Sequence, residues 1–326
     1  MASDNDAQLH ELAETVLARA AEVVIGKDDV IAEVFATLLA GGHVLLEDMP
    51  GVGKTTLALT FSRLLGLDCT RLQLTPDVMP SDITGFSVYQ RDDVGRGSFV
   101  YQHGAVFCNL LLADEINRTS PKTQSALLEA MEERSVTVDG VTRALPDPFF
   151  VIATQNPLGS AGTQPLPLSQ LDRFMTSTSL GYPDFASEVE MARGASSRRR
   201  TEGLAQAVDS DGLSAMQRAV EATFVHDDVL EYAVRLVAAT RTHPLLSAGA
   251  SPRATLALVR MARAASWLAG EDFVSPAAIA RQFPCVVRHR VALRGDARLD
   301  GSHVEDVLAD IAARVPRPRI GRGARR

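Results

Sequence analysis

Cysteine is scarce: the chain of 326 residues holds three, Cys69, Cys108 and Cys285, an odd number set far apart. That spacing argues against a disulfide framework and offers no C-x-x-C metal or redox pair, so each thiol reads as a small buried apolar side chain. Apolar runs are short, and none approaches the ~18 residues of a membrane span. The acidic opening MASDNDAQLHE lacks the basic flank of a signal peptide, and the expected compartment is the cytoplasm. Internal repeats are absent too, as is any basic stripe interleaved with aromatics of the kind that tracks nucleic acid. What remains is an ordinary globular composition, 46% hydrophobic and 22% charged, at a length that suits two domains.

Charge is unevenly spread. The net charge is −7, yet residues 281–326 carry eleven arginines against five acids, which leaves the rest of the chain strongly acidic. Most of the basic excess lies in RVPRPRIGRGARR, whose Pro, Gly and Arg content reads as a solvated tail over 316–326. Before residue 185 short apolar strands alternate with helical patterns, the text of an open α/β sheet. After GYPDF the strand-like runs nearly vanish and alanine-rich amphipathic helices take over. The expected architecture is α/β: an αβα nucleotide domain with a parallel sheet over 1–185, then a smaller all-α domain over 186–315. Ser251-Pro252 and Ser275-Pro276 each place a capping hydroxyl before a proline at the first helical position, and Gly270 is a stop.

The stretch EDMPGVGKTT at 47–56 departs from the pattern G-x-x-x-x-G-K-[ST], because Asp48 stands where the first glycine belongs. Its working parts survive. Gly51 and Gly53 permit positive φ and close backbone approach, Lys54 supplies a cation, and Thr55 supplies a hydroxyl for Mg²⁺. The flanking HVLLE and TTLALTFSRLLG read as strand and helix. Downstream, VFCNLLLADEINR is a near-continuous apolar run of the kind found in a central parallel strand, and it ends on Asp114-Glu115. Paired carboxylates there are costly unless they have work to do. Asp114 is assigned to Mg²⁺ and Glu115 to polarising the attacking water. The run PFFVIATQNP ends at Asn156, either a water-orienting amide or a plain turn residue before proline.

P-loop, LLLADEIN, VIATQNP and PLPLSQLDRF follow one another in the order and approximate spacing of the AAA+ ATPases. DEINRTSPKTQSALLEAMEERSVTVDG, QLTPDVMPSDITG and SPRA resemble the MoxR group of the helix 2 insert clade, over roughly residues 20–295. Many members of that group carry an acid at the position of Asp48. The resemblance implies ATP and Mg²⁺ as ligands. Lys54 would meet the β- and γ-phosphates and Thr55 the Mg²⁺, while Pro50, Gly51, Val52, Gly53 and Thr56 complete the wrapping loop. Asp114 and Glu115 match the Walker B pair and Asn156 matches sensor 1. Ile25 and Gly26 look like the contacts to adenine. Arg173 resembles the arginine finger that reaches the next subunit's site, and Arg253 resembles sensor 2, which meets the γ-phosphate and couples hydrolysis to lid motion. Arg118 and Arg134 also match the group, in subunit contact or support of the finger. The segment 81–103 resembles the helix 2 insert with a polar tip at RDDVGRG, and 134–148 resembles the hairpin before sensor 1, turning at Asp139-Gly140.

The reading is an Mg²⁺-dependent ATPase in a homo-oligomeric ring, a hexamer, that remodels a protein client with a partner carrying a von Willebrand factor A domain. A nucleic-acid motor is the first alternative, supported only by the Arg-rich tail. A P-loop small-molecule kinase is the second; it leaves Arg173 and the paired acids unemployed.

Overall fold

The computed structural model describes residues 4–49, 51–91, 96–156, 164–192 and 197–318. Helices α1 (Asp4–Val23) and α2 (Asp28–Leu39) precede β1 (Val44–Glu47) and α3 (Lys54–Leu64). Next come β2 (Cys69–Gln73), the short α4 (Pro80–Thr84), and a hairpin of β3 (Gly85–Arg91) and β4 (Gly97–His103). The chain continues through β5 (Leu110–Asp114), α5 (Pro121–Glu133), a second hairpin of β6 (Ser135–Val138) and β7 (Val141–Ala144), β8 (Phe150–Gln155), α6 (Leu168–Leu171) and β9 (Thr176–Thr178).

Strands with apolar residues at every position can be buried only if both faces are covered, and such strands pair in parallel. Among the described residues the main sheet has five strands in the order β2-β5-β8-β1-β9. Side chains alternate across it. Val44, Leu46, Leu110, Leu112 and Ile152 face the layer of α1, α2 and α3. Leu45, Leu111, Ala113, Val151 and Ala153 face Leu127, Leu128 and Met131 of α5. Register aligns the carboxyl ends: Gln73 pairs with Asp114, Ala113 with Ala153, and Glu47 with Gln155. The acid strand β5 is not a direct neighbour of the P-loop strand β1, because β8 lies between them. The row of strand ends still brings all three motifs to one edge.

Both insertions form as hairpins. The β3–β4 ladder runs from Gly85↔His103 to Arg91↔Gly97, and tip residues 92–95 lie outside the described residues. Asp139 and Gly140 both have positive φ, 53° and 74°, the two-residue turn whose twist matches its strands. Arg143 of β7 lies 3.7 Å over the Tyr101 ring of β4, joining the two hairpins.

The helical region comprises α7 (Phe185–Ala192), α8 (Ser197–Glu202), α9 (Ser210–Ala222), α10 (Asp227–Thr240), β10 (Leu246–Ala248), α11 (Pro252–Leu268), α12 (Pro276–Val287), β11 (Ala292–Leu293), α13 (Gly295–Leu299) and α14 (Val304–Arg314). Among the described residues it also holds a short antiparallel pairing, Leu246↔Leu293 and Ala248↔Ala292, and an isolated parallel bridge, Phe224↔Phe273. Ser251 and Ser275 cap α11 and α12, accepting from Arg253 N and Ala278 N at 3.1 Å each. The change of composition near 185 is not a break in packing. Leu213, Met216, Leu258, Met261 and Phe283 belong to the same apolar cluster as Val34, Leu38 and Leu46.

Candidate functional site

Gly51 and Gly53 have φ of 87° and 100°, so the loop after β1 takes a path that other residues adopt only with strain. A Cβ on either would meet nothing within 4 Å, because both face open space. That space is a cavity of about 330 Å³ lined by Gly51, Gly53, Lys54, Thr55, Arg71, Gln73, Asp114 and Glu115. The backbone and α3 N-terminus present donors and positive potential to it, as anion recognition requires. Pro50 lies outside the described residues. The Lys54 ammonium folds back and donates to the carbonyls of Asp48 at 2.9 Å and Met49 at 3.4 Å. A phosphate must win it from these two carbonyls.

Asp48 accounts for the missing glycine. The residue is 4% exposed, and its carboxylate accepts three hydrogen bonds, from Ser179 Oγ at 2.6 Å, Leu180 N at 2.7 Å and Gly181 N at 2.9 Å. It pins the start of the loop to the chain leaving β9. That chain reaches the Ile25-Gly26 turn: Lys27 Nζ donates to Tyr182 O at 2.7 Å, and a Cβ on Gly26 would lie 2.6 Å from Ser187 Oγ. The Ile25-Gly26 turn therefore sits against the same segment that Asp48 holds.

The acids are organised by residues that motif reading missed. Thr154, fully buried on β8, donates to Asp114 Oδ1 at 2.9 Å and accepts Glu115 N at 2.9 Å. Glu115 has φ 59°, a strained value for a non-glycine residue, held by that bond. Arg71 of β2 pairs with Asp114 Oδ2 at 2.7 Å. Its only advance signal is a charged residue inside a strand. Glu115 Oε2 accepts from Arg118 Nη1 at 2.7 Å and from Gln73 Nε2 at 3.2 Å. Asn156 follows β8 directly, and its carbonyl accepts Asn117 Nδ2 at 3.3 Å. One carboxylate and the Thr55 hydroxyl fit Mg²⁺, which keeps several waters and takes few protein ligands.

Arg173 and Arg253 are elsewhere. They line a second cavity of about 260 Å³ with Gly42, His43, Glu132 and Met175. Among the described residues none lines both cavities. His43 and Met175 precede β1 and β9, so this cavity lies at the amino ends of the strands and the P-loop at their carboxyl ends. Glu132, in the last turn of α5, binds both arginines: Oε2 lies 3.2 Å from Arg173 Nη2, and Oε1 contacts Arg253 Nη2. At about 1.5 Å per residue the 13 residues of α5 span roughly 20 Å, and Glu132 lies in the turn of that helix farthest along the chain from Glu115. Arg253 is thus a companion of Arg173, not of its own chain's P-loop. Arg134 is close by, donating to Gly41 O at 3.2 Å where α2 ends. Beneath lies His43, whose Nδ1 accepts Val151 N at 3.0 Å and whose Nε2 faces Met131 O at 3.2 Å; burial pulls its pKa down to about 4.

The description "ATPase family associated with various cellular activities (AAA)" matches residues 43–176, and "AAA lid domain" matches 238–311. The chain is 43% identical to the uncharacterized protein YeaC of Bacillus subtilis, over 95% of this chain and 96% of that one. It is 39% identical to the chaperone MoxR1 of Mycobacterium tuberculosis, over 96% and 84%. A crystal structure from Cytophaga hutchinsonii, of a chain assigned as an ATPase, superposes with a TM-score of 0.90 at 33% identity, covering 97% and 98% of the two chains.

Proposed function

Since this chain belongs to the MoxR family of AAA ATPases and is an ATP-hydrolysing enzyme, we propose that it works as a homo-oligomeric ring, a hexamer, whose active sites are each shared by two chains. The observation that carries this is the meeting of Arg173 and Arg253 on Glu132 at the opposite end of the sheet from Lys54. A guanidinium at the far end of α5 from its own acid pair, across the sheet from Lys54, is placed to stabilise γ-phosphate charge on a neighbour.

Within one site, the amides of the 51–56 loop and the Lys54 ammonium hold the β- and γ-phosphates, and Ile25 and Gly26 meet the base. Thr55 and Asp114 would hold Mg²⁺, which would neutralise phosphate charge. Arg71 pairs with Asp114 and sets the position of that carboxylate. Glu115 takes the proton of the attacking water once Arg118 lets go, and Asn156 orients that water. The strained backbone at Glu115 and its bond to Thr154 keep this carboxylate aimed while its partners change.

The work done is chaperone-like remodelling of a protein client in the cytoplasm, alongside a partner with a von Willebrand factor A domain. The β3–β4 hairpin supports a client-facing role, since it exposes Phe86, Tyr89 and Phe99. Turnover per chain should rise with concentration as light scattering reports assembly. Arg173→Ala and Arg253→Ala should each lower kcat about 10³-fold while ATP still binds. A monomer that hydrolyses ATP at full rate without Arg173 would overturn the shared site.

A further inference from the structure

The turn bearing Arg173 is anchored to the helical region by a buried arginine. Arg290, in the turn after α12, is 4% exposed, and all five of its N–H groups are engaged. Nε donates to Asp172 Oδ1 at 2.8 Å. Nη1 donates to Met175 O at 2.9 Å and to Val286 O. Nη2 donates to Phe174 O at 2.6 Å and to Asp172 O at 3.2 Å. Its neighbour His289 donates from Nε2 to Phe174 O at 3.0 Å. The carbonyls of 172, 174 and 175 are therefore held by Arg290 and His289, and Arg173, set among them in the chain, lines the cavity with Arg253 and Glu132.

The same network reaches Arg253. Asp172 Oδ2 accepts from Ser251 Oγ at 2.7 Å, and Ser251 Oγ accepts Arg253 N at 3.1 Å as it caps α11. One carboxylate thus bridges the turn that carries one arginine and the cap that carries the other. A buried ion pair is weak evidence of a stabilising role, because an apolar pair of equal volume often serves as well. An apolar pair lacks direction. Charge stabilisation in a transition state needs donors held within about 0.5 Å, and a planar five-donor fork provides that.

We propose that Arg290 is a positioning residue: through Asp172 it fixes the orientation in which Arg173 and Arg253 are offered together to the neighbouring chain's nucleotide. This rests on the shared-site reading above. The test mixes two chains that are each inactive. A donor with Lys54→Ala keeps its arginines but lacks a working P-loop; an acceptor with Arg173→Ala keeps its P-loop but lacks the finger. Mixing them should restore ATP turnover. Adding Arg290→Lys or the isosteric Asp172→Asn to the donor should cut the restored rate at least tenfold. The same change in the acceptor, whose finger is already gone, should leave it within twofold. Melting temperatures and light scattering of each variant track folding and assembly. Equal loss in both placements means that Arg290 only supports the fold, which overturns the proposal. No restoration with the unaltered donor overturns the shared site, and the proposal with it.

Discussion

Both carboxylate oxygens of Asp48 are committed to the chain after β9, accepting from Ser179 Oγ, Leu180 N and Gly181 N. A glycine at this position would leave the buried Leu180 amide, the half-buried Gly181 amide and the Ser179 hydroxyl without this partner. Each orphaned donor costs about 1–3 kcal/mol. Asp48→Ala is therefore expected to destabilise the chain by about 3 kcal/mol, the lower part of that summed range because water can reach Ser179. It should also raise KM for ATP, because the loop loses its tie to the segment flanking Ile25 and Gly26. Denaturant melts and a nucleotide titration read the two effects separately, and an unchanged midpoint would show that Asp48 is a passive substitute for glycine. The departure from the motif was plain in EDMPGVGKTT, but its reason was not, because the partners lie more than 130 residues downstream. Arg71 and Thr154 stayed hidden for the same cause. Nothing local marks a strand threonine that bridges Asp114 to the Glu115 amide.

Among the elements, β5 and β8 were legible because burial on both faces leaves one apolar run each, and α11 and α12 because Ser-Pro marks a capped start. The edge strand β9 was not. Its text is Thr-Ser-Thr, yet all three are buried, satisfied by pairing with β1 and by contacts such as Thr176 Oγ1 with Thr37 Oγ1 at 2.9 Å. Thr37 belongs to α2, which also carries Glu33 into a cavity of about 650 Å³ between α2, α11, α12 and β9. Glu33 Oε1 is buried without a hydrogen-bond partner, and burial pushes its pKa up from 4.5 to about 7. A carboxyl raised in this way is protonated in the fold, so its contribution is intact below pH 4.5 and is lost as pH climbs through 7. At pH 8 the deficit is about 3 kcal/mol. Glu33→Gln, neutral at every pH, should raise the melting temperature at pH 8 and change it little at pH 5. A difference between variant and wild type that is the same at both pH values would sink this account. His43 tilts the opposite way, because its depressed pKa removes stability as pH falls from 6.5 toward 4.

On the scale of the whole molecule, the composition shift near residue 185 reads as a domain boundary, but a change of amino-acid usage carries no information about which apolar faces meet. The faces of α9 and α11 meet α2 of the nucleotide half, and Met261 of α11 is fully buried, its Sδ 3.6 Å from Thr37 Oγ1. A helical region swinging on residue 185 would have to open the apolar cluster that contains Leu38, Leu213, Leu258 and Met261. That shared cluster is the cost that any swing of the helical region within one chain has to meet. The consequence for stability is direct. Separate domains melt in separate steps, whereas a shared core makes one cooperative unit. Calorimetry should therefore show a single endotherm for the wild type. Met261→Ala should cost about 2–5 kcal/mol and move the entire transition down together. If instead the variant splits the endotherm, with one part melting early and the P-loop half holding its original temperature, then the two halves fold independently, and the coupling of nucleotide to lid within one chain regains its mechanical basis.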